Sequence, residues 1–155
     1  METKIDKLLA IIKQEKKFFQ YHPTYHNLQE TIQFDDQNHL TIQAVNDIKC
    51  NKFNWLKKLT PKVNLFRTKT MLHFKANKIY FHIANLEKSY DYKAVILIDK
   101  NSLELEFVKE VLDFDSKLVK TIAGLVDDGV RANIRTQFRE DFQQILDSFH
   151  SKLML

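Results

Sequence analysis

The sequence predicts an α+β domain: an antiparallel meander of about six strands, an N-terminal helix, and a long helical C-terminus packed on the sheet. Three observations predict it. Three stretches in the middle of the chain alternate apolar and polar residues with period two, and each is interrupted by turn residues. Both ends instead repeat their apolar residues at helical spacing. The 155 residues include only two glycines and two prolines, which argues against long linkers and for one domain spanning residues 1–155. A chain of this length buries roughly 68–70% of its unfolded surface, so it needs no disulfide or structural metal.

Residues 3–21 read as a helix. Thr3 can cap it with Asp6 three residues on, and Ile5, Leu8, Leu9, Ile12 and Phe19 recur on one side. Pro23 closes the segment, because the residue before a proline avoids the α region. Residues 30–45 read as a hairpin with a three-residue turn at Asp36-Gln37-Asn38. That turn pairs Phe34 with Leu40 and Ile32 with Ile42, and puts Asn38 in the left-handed conformation asparagine tolerates. Residues 63–84 read as a second hairpin turning at Asn77-Lys78, with Phe74 opposite Phe81, Leu72 opposite Ile83 and His73 opposite His82. Residues 91–108 read as a third, turning at Asp99-Lys100-Asn101-Ser102, with Ile98 opposite Leu103 and Ile96 opposite Leu105. Val95 and Leu97 add apolar groups to the other face, as an interior strand would.

From Asp115 to Leu153 the pattern is helical. A continuous helix over 116–152 would be roughly 55 Å long, against a diameter near ~40 Å for a globule of this size. Leu118, Val119, Ile122, Leu125 and Val126 point one way; Phe138, Phe142, Ile145, Leu146, Phe149 and Leu153 point nearly opposite. The change falls at Asp127-Asp128-Gly129. Either the chain bends there, or one helix passes from one partner surface to another. In the second case the Phe138–Leu153 stripe meets the N-terminal helix or forms a homodimer interface.

Charge is distributed unevenly. The net charge is +4, yet residues 48–86 carry nine basic residues and no acid. Lys49, Lys52, Lys57, Lys58, Lys62, Arg67, Lys69 and Lys75 make this the expected surface for an anionic partner. Within it Phe53 and Trp55 beside Lys57 and Lys58 suggest a membrane-surface contact; the plainer alternative is a short helix capping one end of the sheet. No catalytic motif and no cofactor is predicted. There is no phosphate-cradling glycine loop, and the single cysteine, Cys50, cannot pair within the chain. The acids at 104, 106, 110, 113 and 115 read as a solvent-facing strand edge and a helix cap. His73 with His82, and His22 with His26, lack the third ligand a metal site requires, so no metal is predicted. No apolar run approaches the ~18 residues of a membrane span. The acids near the start do not read as a leader, so a reducing cytoplasmic setting is expected, or a periplasmic or secreted one if a leader is removed.

The order of helix, meander and long C-terminal helix resembles two lipid-handling architectures, the helix-grip fold and the tubular lipid-binding fold. The resemblance spans the chain but rests on element order; no motif carries it, and the first strand of the helix-grip fold has no counterpart. It implies a binding protein for an apolar or lipid-like, anionic ligand held between sheet and C-terminal helix. Leu72, Phe74, Phe81, Ile83, Ile96, Leu105, Phe138 and Phe142 are the expected wall. The alternatives are a protein-interaction or oligomerisation module, and nucleic-acid binding through Lys69, His73, Lys75, Tyr80 and His82.

Overall fold

The computed structural model describes residues 2–19, 25–48, 66–115 and 128–153. An N-terminal helix, α1 (Lys4–Glu15), leads into six strands: β1 (Tyr25–Phe34), β2 (Leu40–Ile48), β3 (Arg67–Lys75), β4 (Lys78–Asn85), β5 (Tyr90–Ile98) and β6 (Leu105–Phe114). A second helix, α2 (Asp128–Leu153), closes the chain. The strands form one antiparallel sheet in sequence order, β1-β2-β3-β4-β5-β6, and both helices pack on the same apolar core. The α+β class and six-stranded meander read from the sequence are the observed ones.

Local chemistry sets the boundaries. Thr3 and Asp6 form the expected capping box. The helix stops at Glu15, well short of the predicted 21. Lys16 adopts a left-handed conformation (φ 56°) and donates its N–H to Ile12 O. The chain then turns so that Phe18 and Phe19 N–H both donate to Glu30 Oε1 at 3.1 Å. Both rings are fully buried, which one helical face could not achieve for adjacent residues. Glu15 accepts from Lys152 Nζ at 2.8 Å, tying the end of α1 to the end of α2.

The first hairpin has the expected register. Phe34 pairs Leu40, Ile32 pairs Ile42, and Asn38 is left-handed at φ 62°. The other two keep the predicted faces but slide by two residues. Phe74 pairs Ile79, not Phe81; Leu72 pairs Phe81, not Ile83; His73 pairs Tyr80, and Met71 pairs His82. The turn is Ala76-Asn77, with Ala76 at φ 56°, so it lies one residue earlier than predicted. Ile98 pairs Leu105 and Ile96 pairs Phe107, because the β5–β6 turn runs on to Glu104. There Asp99 accepts from the N–H groups of Asn101 and Ser102, which hold its carboxyl below the usual range, while Leu103 takes φ 63°.

The inner face of the sheet meets α2 through Ile134, Phe138, Phe142, Ile145, Leu146 and Phe149, all buried, with Leu153 packed alongside. The Phe138–Leu153 stripe is therefore covered by this chain's own sheet and N-terminal segment. Residues 116–127, which carry the first of the two apolar stripes and the approach to the expected bend, lie outside the described residues.

Candidate functional site

The expected ligand wall lies on the inner face. Leu72, Phe74, Phe81, Ile83, Ile96, Phe138 and Phe142 are buried, and Leu105 packs against them partly exposed. They belong to one apolar core. The Phe81 and Phe142 centroids are 5.0 Å apart, those of Tyr92 and Phe138 5.0 Å, and Phe81 meets Tyr92 at 5.7 Å. Phe18, which sequence reasoning did not single out, stands 5.5 Å from Phe149, 6.0 Å from Phe142 and 6.2 Å from Phe74. At these positions the sheet and helix are joined by rings in edge, tilted and stacked contact.

An acid from β6 borders this layer. Glu110 Oε2 accepts from Tyr92 Oη at 2.6 Å, and its Oε1 accepts from Arg139 Nε at 2.8 Å. Burial works to raise the Glu110 carboxyl, but the bonds from Arg139 and Tyr92 outweigh it and hold the group below its ordinary value. Burial, reinforced by the Glu110 charge, pushes the Tyr92 phenol well above its ordinary value. Arg139 also lies over the Phe107 ring, and Arg131 over Phe114, so α2 grips β6 by cation–π contact as well as by charge. Glu110 is thus a buried structural acid and not the solvent-facing one expected.

The outer face of the sheet is open. Lys69, Met71, His73, Lys75, Tyr80 and His82 all project from it, as the alternation of β3 and β4 requires. Met71 is 40% exposed, Tyr80 42% and Val111 39%, a high figure for side chains of this kind. Between β3 and β6 they border a groove of about 460 Å³. Met71, Tyr80, Val95 and Val111 give it an apolar floor; Lys93 and Lys109 project beside them, with His73, His82 and Asp113 on its margins. His73 Nδ1 shares a 2.9 Å hydrogen bond with Thr41 Oγ1, and its ring lies 6.2 Å from Tyr80. His82 Nε2 is hydrogen-bonded to Asp91 Oδ1, and Lys93 Nζ stands 3.8 Å from Asp91 Oδ2. A cleft of similar volume, about 490 Å³, lies where the β5–β6 turn meets α2, but its walls are largely polar, with Glu104, Gln143, Asp147 and His150 among them.

Of the predicted anionic-partner residues, Arg67, Lys69 and Lys75 share this outer face. Arg67 is committed to Asp47 through two hydrogen bonds of 2.9 and 3.0 Å. Lys69, Lys75 and the neighbouring Lys78 form no ion pair among the described residues. Lys49, Lys52, Phe53, Trp55, Lys57, Lys58 and Lys62 lie outside the described residues, and with them the expected membrane contact. Among the described residues no cluster of three metal-ligating side chains occurs, and no helix is long and apolar enough to cross a membrane. No protein-family model, no curated protein and no solved structure matches this chain.

Proposed function

We propose that this protein binds an amphipathic, anionic small ligand, and that the ligand lies in the groove on the outer face of the sheet. The chemistry is that expected from the sequence; its place is different, because the outer face carries an open groove, whereas on the inner face the Phe81 and Phe142 ring centroids stand 5.0 Å apart. The observation that carries the proposal is the pairing of an apolar floor, Met71, Tyr80, Val95 and Val111, with two lysines, Lys93 and Lys109, on adjoining strands. Such a groove shields an apolar body while an ammonium meets an acidic head group. Its volume falls within the range of small-molecule sites.

Calorimetric titration with decanesulfonate tests this. Met71→Asp places a charge on the groove floor at an exposed position and leaves the core intact. It is expected to weaken binding at least about tenfold, by the loss of a buried apolar contact and repulsion of the head group. Unaltered binding to the variant would contradict the groove as the site. A second reading, single-stranded nucleic acid, is favoured by Tyr80 standing near Lys75 and Lys78, with Lys69 further along the same face. It would take over if an oligonucleotide binds, with affinity falling steeply in salt, while the sulfonate does not.

A further inference from the structure

Lys93, Lys109 and Asp113 line the groove, and Asp91, the register partner of Asp113, stands beside it between His82 and Lys93. While Asp91 offsets Lys93, the lining sets one lysine, Lys109, against one carboxylate, Asp113, which gives an anion little advantage unless the charge of Asp91 is met elsewhere. His82 is placed to do this. We infer that the groove takes a ligand carrying one negative charge, and takes it together with a proton on His82. This rests on the binding proposal above and deepens it.

The geometry around Asp91 gives the reason. One carboxylate oxygen faces His82 and the other faces Lys93. While the imidazole is neutral, the full charge of Asp91 draws on Lys93. A protonated imidazole balances the carboxylate itself, and Lys93 is left to meet the head group. The groove then carries an excess of one positive charge. A second negative charge on the ligand would have Lys109 within the lining but would also face Asp113.

Other groups surround His82. Tyr80 shares its strand and the groove floor; Met71, its pair on β3, is flanked by Lys69 and His73; Asp91 and Lys93 approach from β5, with Lys109 and Asp113 beyond on β6. His73 is the other imidazole of the groove, but it is hydrogen-bonded to the Thr41 hydroxyl and has no carboxylate partner among the described residues. Protonating it would not release a lysine.

The experiment is titration of the intact chain with decanesulfonate, whose charge does not change between about pH 5 and pH 8, the interval in which histidine titrates. Affinity is expected to rise about threefold to tenfold from the upper to the lower end, as one charge is added near the head group. His82→Gln keeps a donor to Asp91 and should flatten the profile. Asp91→Asn should bind at the upper end as tightly as the unaltered protein does at the lower, and His73→Gln should keep the rise. Decyl phosphate, doubly charged at about pH 8, should bind more weakly there than the sulfonate. Binding with a flat profile in the unaltered protein, or a profile flattened by His73→Gln and not by His82→Gln, overturns this inference and leaves the groove proposal standing. No binding at any pH overturns both.

Discussion

Single residues decide which face of the outermost strand is which, and Glu110 is the clearest case. Strict alternation from Leu105 and Phe107 would carry the inner face on to residues 109, 111 and 113, with Glu110 in solvent. Val108 is an extra residue, since Val95 pairs Lys109 and Ile96 pairs Phe107, so the parity changes there. Glu110, Leu112 and Phe114 then turn inward. The signal was present in the sequence as apolar residues at 105 and 107 giving way to apolar residues at 112 and 114. A reading that treats the acids as a class overlooks it. Removing the carboxylate should be costly, because the Tyr92 hydroxyl loses its acceptor inside the core. Glu110→Ala is expected to lower stability by about 1–3 kcal/mol in chemical denaturation. The folded-state carboxyl is held below its ordinary value. The stability it contributes is therefore present above the unfolded-state value, about 4.3, and is lost as pH falls through the lower folded-state one. The unaltered protein should lose stability over that acid interval, and Glu110→Gln should lose less of it.

At the scale of elements, faces were legible and registers only partly so. The parity of an alternating strand is fixed by which residues are apolar, and a slip of two residues preserves it. The first hairpin came out correctly because Asn38 is both the residue that tolerates positive φ and the one that adopts it. In the β3–β4 hairpin the parity of the apolar residues suggested a turn at Asn77-Lys78, yet the turn is Ala76-Asn77 and Ala76 takes the left-handed position. The cross-strand packing of Leu72 with Phe81 and Phe74 with Ile79 fixes the register and imposes the strain on alanine. Ala76→Gly should relieve it and raise stability by about 1 kcal/mol, read as a higher denaturation midpoint; a lower midpoint would mean the strain relieved is smaller than the conformational entropy glycine loses on folding. Helix α1 was legible at its start, where Thr3 and Asp6 are local, and not at its end, where the distant Glu30 captures the Phe18 and Phe19 amides. Both edge strands carry a bulge with an exposed apolar residue, Leu28 on β1 and Val108 on β6. Bulges blunt sheet edges against further pairing, which leaves the outer face as the more accessible part of the sheet.

For the whole molecule, the same alternation built two unlike surfaces. The inner face gathers the large apolar residues, and the helices cover it through a continuous set of aromatic contacts from Phe19 through Phe18 and Phe142 to Phe81, Tyr92 and Phe138. The sequence identified Phe81, Phe138 and Phe142 as lying between sheet and helix, and not Phe18 or Tyr92; volume complementarity between them is a property of three dimensions that no pattern encodes. The outer face was recognised residue by residue, as lysines, histidines and Tyr80. Its groove was not, because Val111 joins Met71 and Val95 only through the pairings of β3 to β6. The central claim is that an amphipathic anion is held on this outer face. The methionine and isoleucine methyl groups report on the two faces separately. Met71 lies in the groove, Met1 and Met154 stand near the chain ends, and Ile79, Ile83 and Ile96 are buried on the inner face. In a methyl-labelled sample titrated with decanesulfonate at mildly acidic pH, the Met71 signal should shift and saturate while those three isoleucine signals stay in place. Shifts at the isoleucines with Met71 unmoved would put the ligand between sheet and helix and contradict the account.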